Sequence, residues 1–373
     1  MNRSFRLITL FNIPVEINYS WFIILGLIIL TFSQIFSLEI PGLPLIVYWL
    51  ISLVFSLLFF ASLLAHEFSH SLVAIRNQLP IKGITLFVFG GVAHMEKEPS
   101  SPAIELKMAL AGPAMSFFLA FAFFILTQIL FSLGIPNYIY IVFSYLSYLN
   151  LIIGIFNLIP GYPLDGGRIF RAILWIFYGL KKATRIASVF GKTFALILMV
   201  YGLLVLFYAK NILGIWNIFI GLFLYEAADT SYQQIVLKRA LTGVRVESVM
   251  TRAVVTVPAE LTLDKLVDEY FFRFRFTSFP VVRDDQLLGL VTLHAVKEIA
   301  KERWPQTTAG EIMAPLSAGL IIGRDREIID ALGKMAGAGL GRLLVAEDGK
   351  LIGILTQRDI TRLFEMKSRI EED

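Results

Sequence analysis

The amino-acid sequence predicts a polytopic α-helical membrane domain followed by a smaller soluble α/β domain. Of the 373 residues, 57% are hydrophobic and 17% are charged, whereas about a quarter of the residues in soluble domains are charged. The apolar residues are concentrated before about Tyr225, and two similar units follow one another beyond Leu241. We therefore expect a membrane domain at 1–230, a linker at 231–243 and a repeat domain at 244–373.

Six hydrophobic segments have the length of membrane spans. They cover residues 19–37, 45–70, 105–133, 138–158, 190–208 and 211–228. Lys and Arg are frequent at the N-terminus, in the loops 71–104 and 159–189 and after residue 228, whereas the other connections hold one cation, Lys210. The positive-inside rule then predicts a multi-pass protein of the cell membrane with both termini in the cytoplasm. Since this topology explains the net charge of +4, no nucleic-acid partner is expected.

The residues before the first span lack the pattern of a cleavable signal, because Pro14, Glu16 and Asn18 interrupt the apolar residues. Apolar residues alternate with polar ones around Val15 and Ile17. This alternation predicts a short strand or an extended segment at the membrane surface.

The second hydrophobic segment ends in the sequence H-E-F-S-H, residues 66–70. On a helix, residues i and i+4 share a face, so His66 and His70 can bind one metal ion, and Glu67 can reach a water molecule bound to that metal. The plain alternative is a pair of surface histidines. However, the uncharged run at 45–65 would cover about 30 Å as a helix, which is the thickness of the hydrocarbon layer. The pattern therefore indicates metal-dependent hydrolysis at or inside a membrane.

A catalytic zinc site needs a third protein ligand, and the absence of cysteine leaves histidine or carboxylate. Asp165 is one candidate, because it follows a span in a stretch rich in turn residues and a carboxylate at membrane depth is a functional candidate. It can instead stabilise a turn or pair with Arg168. His94 is the main rival, and the fourth histidine, His294, lies far into the soluble part. The residues alone leave this choice open.

Three separated motifs of the membrane part resemble the site-2 protease family of intramembrane zinc metalloproteases. Within about residues 10–225 these motifs are H-E-F-S-H at 66–70, Asn157-x-x-Pro160 and Leu164-Asp165-Gly166-Gly167. The resemblance implies that His66, His70 and Asp165 bind one Zn²⁺ per chain. It also implies that Glu67 is the catalytic base and activates a zinc-bound water. His94 matches no ligand position of the family, and its role stays open.

The same resemblance implies how the substrate is held. It assigns Asn157 a role in holding the substrate or its reacting carbonyl. The stretch Phe89-Gly90-Gly91-Val92 resembles a glycine-containing hairpin on which the substrate can pair as an added strand, so Gly90 and Gly91 are candidate substrate-binding residues. Ala111-Gly112-Pro113 resembles a further family signature at the start of the third span, and its structural explanation is close helix packing.

The two units beyond Leu241 share three motifs at an offset of 63 or 64 residues. Residues 248–250 recur at 311–313, residues 279–282 at 342–345 and residues 288–292 at 352–356. Each unit runs from a short strand through a helix and two strands to a second helix. In the first unit we expect the first helix at 264–272, the two strands at 279–283 and 287–292, and the second helix at 294–301. This order resembles a tandem pair of CBS domains, with boundaries of about 244–303 and 307–366.

CBS pairs commonly bind adenine nucleotides, with a Thr/Ser-x-x-Asp motif that contacts the ribose. The second unit has this motif as Thr356 and Asp359, whereas Thr292 in the first unit is followed by Ala295 in place of the acid. The resemblance therefore implies at most one regulatory nucleotide site. Capping of the last helix by Asp359 is the alternative, and homodimerisation without a ligand is a further expectation.

The expected function is zinc-dependent intramembrane proteolysis of membrane-anchored regulatory proteins, with a cytoplasmic CBS pair that regulates activity. The partners would be the lipid bilayer and a protein substrate with a transmembrane segment, which must unwind at the cleavage site to free its peptide bonds. Two other classes remain. A CBS-regulated transporter predicts polar residues along several spans, and a non-catalytic membrane scaffold has no need of Glu67.

Overall fold

The chain divides into two compact units, Met1–Gln233 and Gln234–Asp373. Within it, the computed structural model describes residues 4–88, 90–95 and 98–371. The interval 231–243, expected from the sequence as a linker, is helical as far as Leu241.

The first unit is mainly helical. Its helices are α1 Ser20–Glu39, α2 Leu45–Arg76, α3 Pro102–Ser132, α4 Asn137–Asn157, α5 Asp165–Phe207 and most of α6 Gly214–Leu241, whose last residues belong to the second unit. In the described part of the chain, α1 to α5 are long and apolar enough to span a membrane. The sixth predicted segment, 211–228, contributes the first part of α6. Because α5 is interrupted at Gly179, where φ is 74° and ψ is 163°, the predicted span 190–208 forms its second part.

A four-stranded sheet accompanies these helices. Its strands are β1 Ser4–Leu10, β2 Ile13–Asn18, β3 Ile81–Phe87 and β4 Gly90–Met95, in the order β1-β2-β3-β4. The pairs β1–β2 and β3–β4 are antiparallel hairpins, and β2 runs parallel to β3. Buried side chains of β2 and β3, among them Val15 and Ile84, pack against Phe68 of α2. The sheet therefore lies against the part of α2 that carries the two histidines.

The second unit consists of two similar halves, each with its own hydrophobic core. Its strands are β5 Val257–Pro258, β6 Ser278–Arg283, β7 Gln286–Thr292, β8 Ala314–Pro315, β9 Ile321–Ile322, β10 Arg342–Glu347 and β11 Lys350–Thr356. They form two sheets, of order β5-β6-β7-β8 and β11-β10-β9. The strands β6 and β7 recur as β10 and β11 at the offset read from the sequence.

Short helices complete the second unit. They are α7 Leu263–Lys265, α8 Phe272–Phe274, α9 Leu293–Lys297, α10 Ala309–Ile312, α11 Ile328–Ala338 and α12 Gln357–Glu371, with a π-helical turn at Leu266–Phe271 and 3-10 turns at Val246–Ser248 and Lys301–Gln306. The helix expected at 294–301 ends at Lys297. Beyond the end of this helix, the Ile299 carbonyl accepts a hydrogen bond from the Trp304 indole at 3.0 Å.

Candidate metal centre

Three buried side chains converge at the end of α2. The Nε2 atoms of His66 and His70 each lie 3.1 Å from Oδ2 of Asp165, and they lie 3.2 Å from one another. In a tetrahedral zinc site with ligand distances of 2.0–2.2 Å, the ligand atoms are about 3.4 Å apart. The triangle therefore has nearly the dimensions that one zinc ion requires. Among the described residues, these three side chains form a cluster of His and acidic groups whose ligand atoms lie close enough together to bind a metal ion.

The hydrogen bonds of the two imidazoles leave their Nε2 atoms available for a cation. Nδ1 of His70 lies 2.6 Å from the Met108 carbonyl oxygen, and because a carbonyl only accepts, this nitrogen carries the proton. Nδ1 of His66 lies 2.8 Å from the Ser116 hydroxyl oxygen, which can accept in the same way. In these neutral tautomers, both Nε2 lone pairs face the Asp165 carboxylate. Such a set of electron donors fits a divalent cation.

Gly112 of α3 keeps the space between the histidines clear. A β-carbon at this position would lie 2.2 Å from Nε2 of His70 and 2.4 Å from Nε2 of His66. These are close to the distances at which zinc binds an imidazole nitrogen, so a methyl group would take up the position of the ion. Gly112 allows α3 to pack closely, as the sequence predicted. The close contact is with the two histidine rings of α2.

A tightly packed turn holds Asp165 at the start of α5. A β-carbon at Gly166 would lie 2.2 Å from the Leu158 carbonyl oxygen, and one at Gly191 would lie 1.9 Å from the Tyr162 carbonyl oxygen. The turn is thus enclosed by both parts of α5. Below it, the buried Arg171 donates from Nε to Glu105 of α3 at 2.7 Å. These contacts fix Asp165 relative to α3, which carries the hydrogen-bond partners of the histidines.

His94, the rival third ligand, lies elsewhere. It is an exposed residue of β4, and its Nε2 lies 3.0 Å from the Thr85 hydroxyl oxygen of the neighbouring strand. His294 lies in the second unit. Within the first unit, the structure thus brings Asp165, and not His94, to the pair on α2.

A cavity of about 430 Å³ opens beside the three side chains. It is also lined by Glu67, Asn157, Gly90 and Gly91. A β-carbon at Gly91 would lie 2.6 Å from Cγ of Glu67, so β4, an edge strand of its sheet, comes unusually close to the acid. Phe89, which belongs to the glycine-containing stretch, lies outside the described residues.

Comparison with known proteins identifies the family of the membrane part and of the repeat domain. The family model for peptidase family M50 matches residues 54–142 and 134–201, and the CBS domain model matches residues 246–302 and 309–365. Rip3 of Mycobacterium tuberculosis is 34% identical over 356 residues, which are 94% of this chain and 90% of that protein. Zinc metalloprotease MJ0392 of Methanocaldococcus jannaschii is 32% identical over 375 residues and the full length of both chains. The chain belongs to peptidase family M50.

The solved structure of a site-2 protease from Methanocaldococcus jannaschii is 34% identical, covers 61% of this chain and 95% of its own, and aligns with a TM-score of 0.44. The matches to the two family models and to the metalloproteases of similar sequence confirm the resemblance to site-2 proteases and to tandem CBS domains. The protein is a multi-pass membrane metalloprotease with a CBS pair. Its family implies Zn²⁺ and a protein substrate.

The sequence did not predict several residues of the M50 site. Ser116 and the Met108 carbonyl contact the histidines; only the four-residue spacing from Gly112 to Ser116 could have pointed to the serine, and nothing marks a backbone carbonyl. Arg168, which the sequence analysis named only as an alternative partner of Asp165, also lines the cavity, and its buried Nε has no hydrogen-bond partner among the described residues. Its position three residues after Asp165 on α5 was the available signal.

The CBS pair of this M50 peptidase contains a second cavity, of about 530 Å³, lined by Thr356, Asp359 and Arg342 among others. Oδ2 of Asp359 accepts hydrogen bonds from the backbone N–H and the hydroxyl of Thr356, at 2.9 and 2.7 Å. The acid therefore caps α12, as the alternative interpretation predicted. The Thr292 hydroxyl caps α9 by accepting from the Ala295 N–H at 3.2 Å, without a carboxylate.

Proposed function

We propose that this M50 peptidase binds one Zn²⁺ through His66, His70 and Asp165 and cleaves membrane-anchored regulatory proteins with Glu67 as the base. The observation that carries the proposal is the triangle of ligand atoms, with sides of 3.1, 3.1 and 3.2 Å, in the same cavity as an acid. The buried charged residues also favour a protease over a transporter. Among the described membrane residues, they belong to the metal centre or to the adjoining Glu105–Arg171 pair.

Glu67 is suited to proton transfer. Zinc, when bound, supplies a Lewis acid that activates water and polarises the scissile carbonyl. Glu67 lines the cavity, and no donor among the described residues bonds to its carboxylate. Glu67 would take a proton from water as the water oxygen bonds to the carbonyl carbon. It would then deliver that proton to the amine nitrogen as the carbon–nitrogen bond breaks.

Asn157 and the two glycines would hold the substrate. One N–H of the Asn157 amide donates to the Ile153 carbonyl at 3.1 Å, which fixes the side chain at the end of α4 and leaves the other N–H for a substrate carbonyl. The edge of β4 offers unpaired backbone groups to an extended segment. At Gly90 and Gly91 no side chain would separate such a segment from Glu67. A substrate helix must unwind before it can pair there.

We also propose that an adenine nucleotide binds the cavity of the CBS pair and regulates proteolysis. Arg342 donates hydrogen bonds to the hydroxyls of Ser278 and Thr277, and burial lowers the pKa of this guanidinium. A phosphate group would supply a negative charge beside this half-buried cation. The capping bonds of Asp359 use Oδ2, which leaves Oδ1 for a ribose hydroxyl. Homodimerisation through the CBS domains and cytoplasmic termini complete the proposal.

The metal assignment is tested by measuring bound zinc in detergent-purified protein. We expect about one zinc per chain in the unmodified protein, with zinc lost or greatly weakened in His70→Ala and Asp165→Ala. A His94→Ala variant is the matched control and should keep its zinc, because His94 is exposed and bonded to Thr85. Zinc retained without Asp165 would show that the third ligand is wrong. An unmodified chain that takes up no zinc after resupply would refute the site.

A further inference from the structure

The β1–β2 hairpin exposes an apolar surface that the proteolytic site does not use. Along β1, Phe5, Leu7, Ile8 and Leu10 are all exposed, with 58% of Leu7 accessible, and Phe11 at the turn is 74% accessible. The strand forms one edge of the sheet. Apolar edge strands in water are liable to aggregate, and soluble proteins avoid them. We therefore expect another apolar surface to cover this strand.

The turn of this hairpin carries an unusual residue for its conformation. Among the described residues, three hairpins have two-residue turns with positive φ at both positions, namely Phe11-Asn12 at 51° and 62°, Asp284-Asp285 at 47° and 61°, and Asp348-Gly349 at 50° and 77°. Such turns favour Asn, Asp and Gly, because a bulky side chain is disfavoured at positive φ. Both hairpins of the CBS pair begin their turn with Asp. Of these three described turns, the first instead begins with an aromatic residue, Phe11, against its conformational preference.

The tip of the hairpin lies at a definite level along α2. The ring of Phe11 meets the ring of Phe68 edge-on, with 6.1 Å between their centroids. Phe68 follows the first residue of α2, Leu45, by 23 positions, which is about 35 Å along a helix at 1.5 Å per residue. The hydrocarbon layer is about 30 Å thick. The tip therefore lies near the boundary where α2 leaves the hydrocarbon.

The apolar surface of β1 is continuous with that of a membrane helix. The rings of Phe5 and Phe22 are stacked, with centroids 6.2 Å apart and planes 13° apart, and the ring of Phe5 lies 6.0 Å from that of Tyr19. Phe22 and its neighbour Ile23 are exposed residues of α1, which is one of the apolar helices. The lipid-facing surface of α1 thus extends without interruption onto the strand.

We propose that the β1–β2 hairpin is a membrane-interface anchor, with Leu10 and Phe11 inserted between the headgroups and the acyl chains of a phospholipid bilayer. The unpaired backbone groups of β1 rule out the hydrocarbon itself, but at the interface water and headgroups can satisfy them. The exposed Arg6 adds a cation suited to lipid phosphates. Because β2 pairs with β3 and β3 with β4, this anchor holds the whole sheet at one depth.

The absence of native cysteine allows a direct test. A nitroxide is attached to Phe11→Cys in the full chain, reconstituted in vesicles of phosphatidylcholine and phosphatidylglycerol. Its collisions with oxygen, which concentrates in lipid, and with a water-soluble nickel chelate are measured by power-saturation EPR. Asp284→Cys is the matched control, because it has the same turn position in the second unit. We expect the ratio of oxygen to nickel collisions to be clearly higher at residue 11 than at residue 284.

Two results would overturn the anchor. A label at residue 11 that meets the nickel chelate as often as the control would place the tip in water. A label shielded from both reagents would show that protein covers it, either a second copy or another segment of the chain. Leu7→Cys provides a second position should the label disturb the turn. Bound zinc, measured on each labelled variant, verifies that the first unit is folded.

Discussion

Replacing Gly112 by alanine would put a methyl group between the two histidine rings. Its β-carbon would lie 2.2 and 2.4 Å from the two Nε2 atoms, whereas non-bonded contacts are favourable at about 3.5 Å or more. Both rings would therefore have to retreat by about 1 Å. Each is held on its far side, His70 by the Met108 carbonyl and His66 by the Ser116 hydroxyl. The ion and the methyl group cannot occupy the site together unless these bonds break.

The expected loss of zinc affinity follows from those two bonds. Removing an outer partner of a metal-binding histidine lowers metal affinity about 10- to 100-fold. Since both rings are affected, the combined loss is about 100- to 10,000-fold, or roughly 3–6 kcal/mol. The helix itself is not weakened, because alanine is about 0.5–1 kcal/mol more favourable than glycine in a helix interior. A loss of zinc affinity in this variant would therefore not come from a weakened helix.

Competition with a chromophoric chelator, in detergent, measures the zinc affinity of Gly112→Ala. Gly26→Ala is the matched control, since Gly26 also lies inside a membrane helix but a β-carbon there would have nothing within 4 Å. We expect this control to bind zinc like the unmodified chain. Equal affinities of the two variants would refute the argument that Gly112 clears the space for the ion.

Three further predictions concern single side chains. Glu67→Gln should retain zinc and lose cleavage of a model membrane substrate by about 100- to 10,000-fold; a variant that still cleaves would dismiss Glu67 as the base. Ser116→Ala should weaken zinc binding about 10- to 100-fold, measured with the same chelator, and unchanged affinity would mean that Ser116 does not orient His66. Asp359→Ala should weaken AMP binding in isothermal titration and destabilise the CBS pair by about 1 kcal/mol. The control is Thr292→Ala, which removes a helix cap in the first CBS domain. It should lower the stability without changing AMP binding.

The sequence predicted the histidine pair because the i, i+4 spacing on α2 is a local property of one helix. The choice between Asp165 and His94 was not local. It depends on a turn that fits between the two parts of α5 only because Gly166 and Gly191 lack side chains. It depends also on the register of β4 against β3, in which His94 bonds to Thr85 and faces away from the cavity. The residue types alone do not predict that register.

The short strand expected around Val15 is β2, because alternation with a period of two is again a local signal. The strands that pair with β2 were harder to predict from the sequence. The parallel pairing of Val15 with Ile84 joins segments separated by the whole of α1 and α2, and no local pattern indicates it. The break of α5 at Gly179 and the early end of α9 at Lys297 likewise depend on local backbone conformation and side-chain contacts that hydrophobic patterning does not report.

The level of the metal centre in the membrane follows from its position along α2, which also sets the level of the proposed anchor. His66 follows Leu45 by 21 positions of α2, about 32 Å along the helix, so the centre would lie where the hydrocarbon of about 30 Å ends. The proposed anchor fixes the sheet at that same level through Phe11 and Phe68. Water is available there, and a substrate helix can unwind without leaving its backbone groups unsatisfied in lipid. The edge of β4 would therefore accept a substrate bond near the end of its transmembrane segment in preference to one at the bilayer centre.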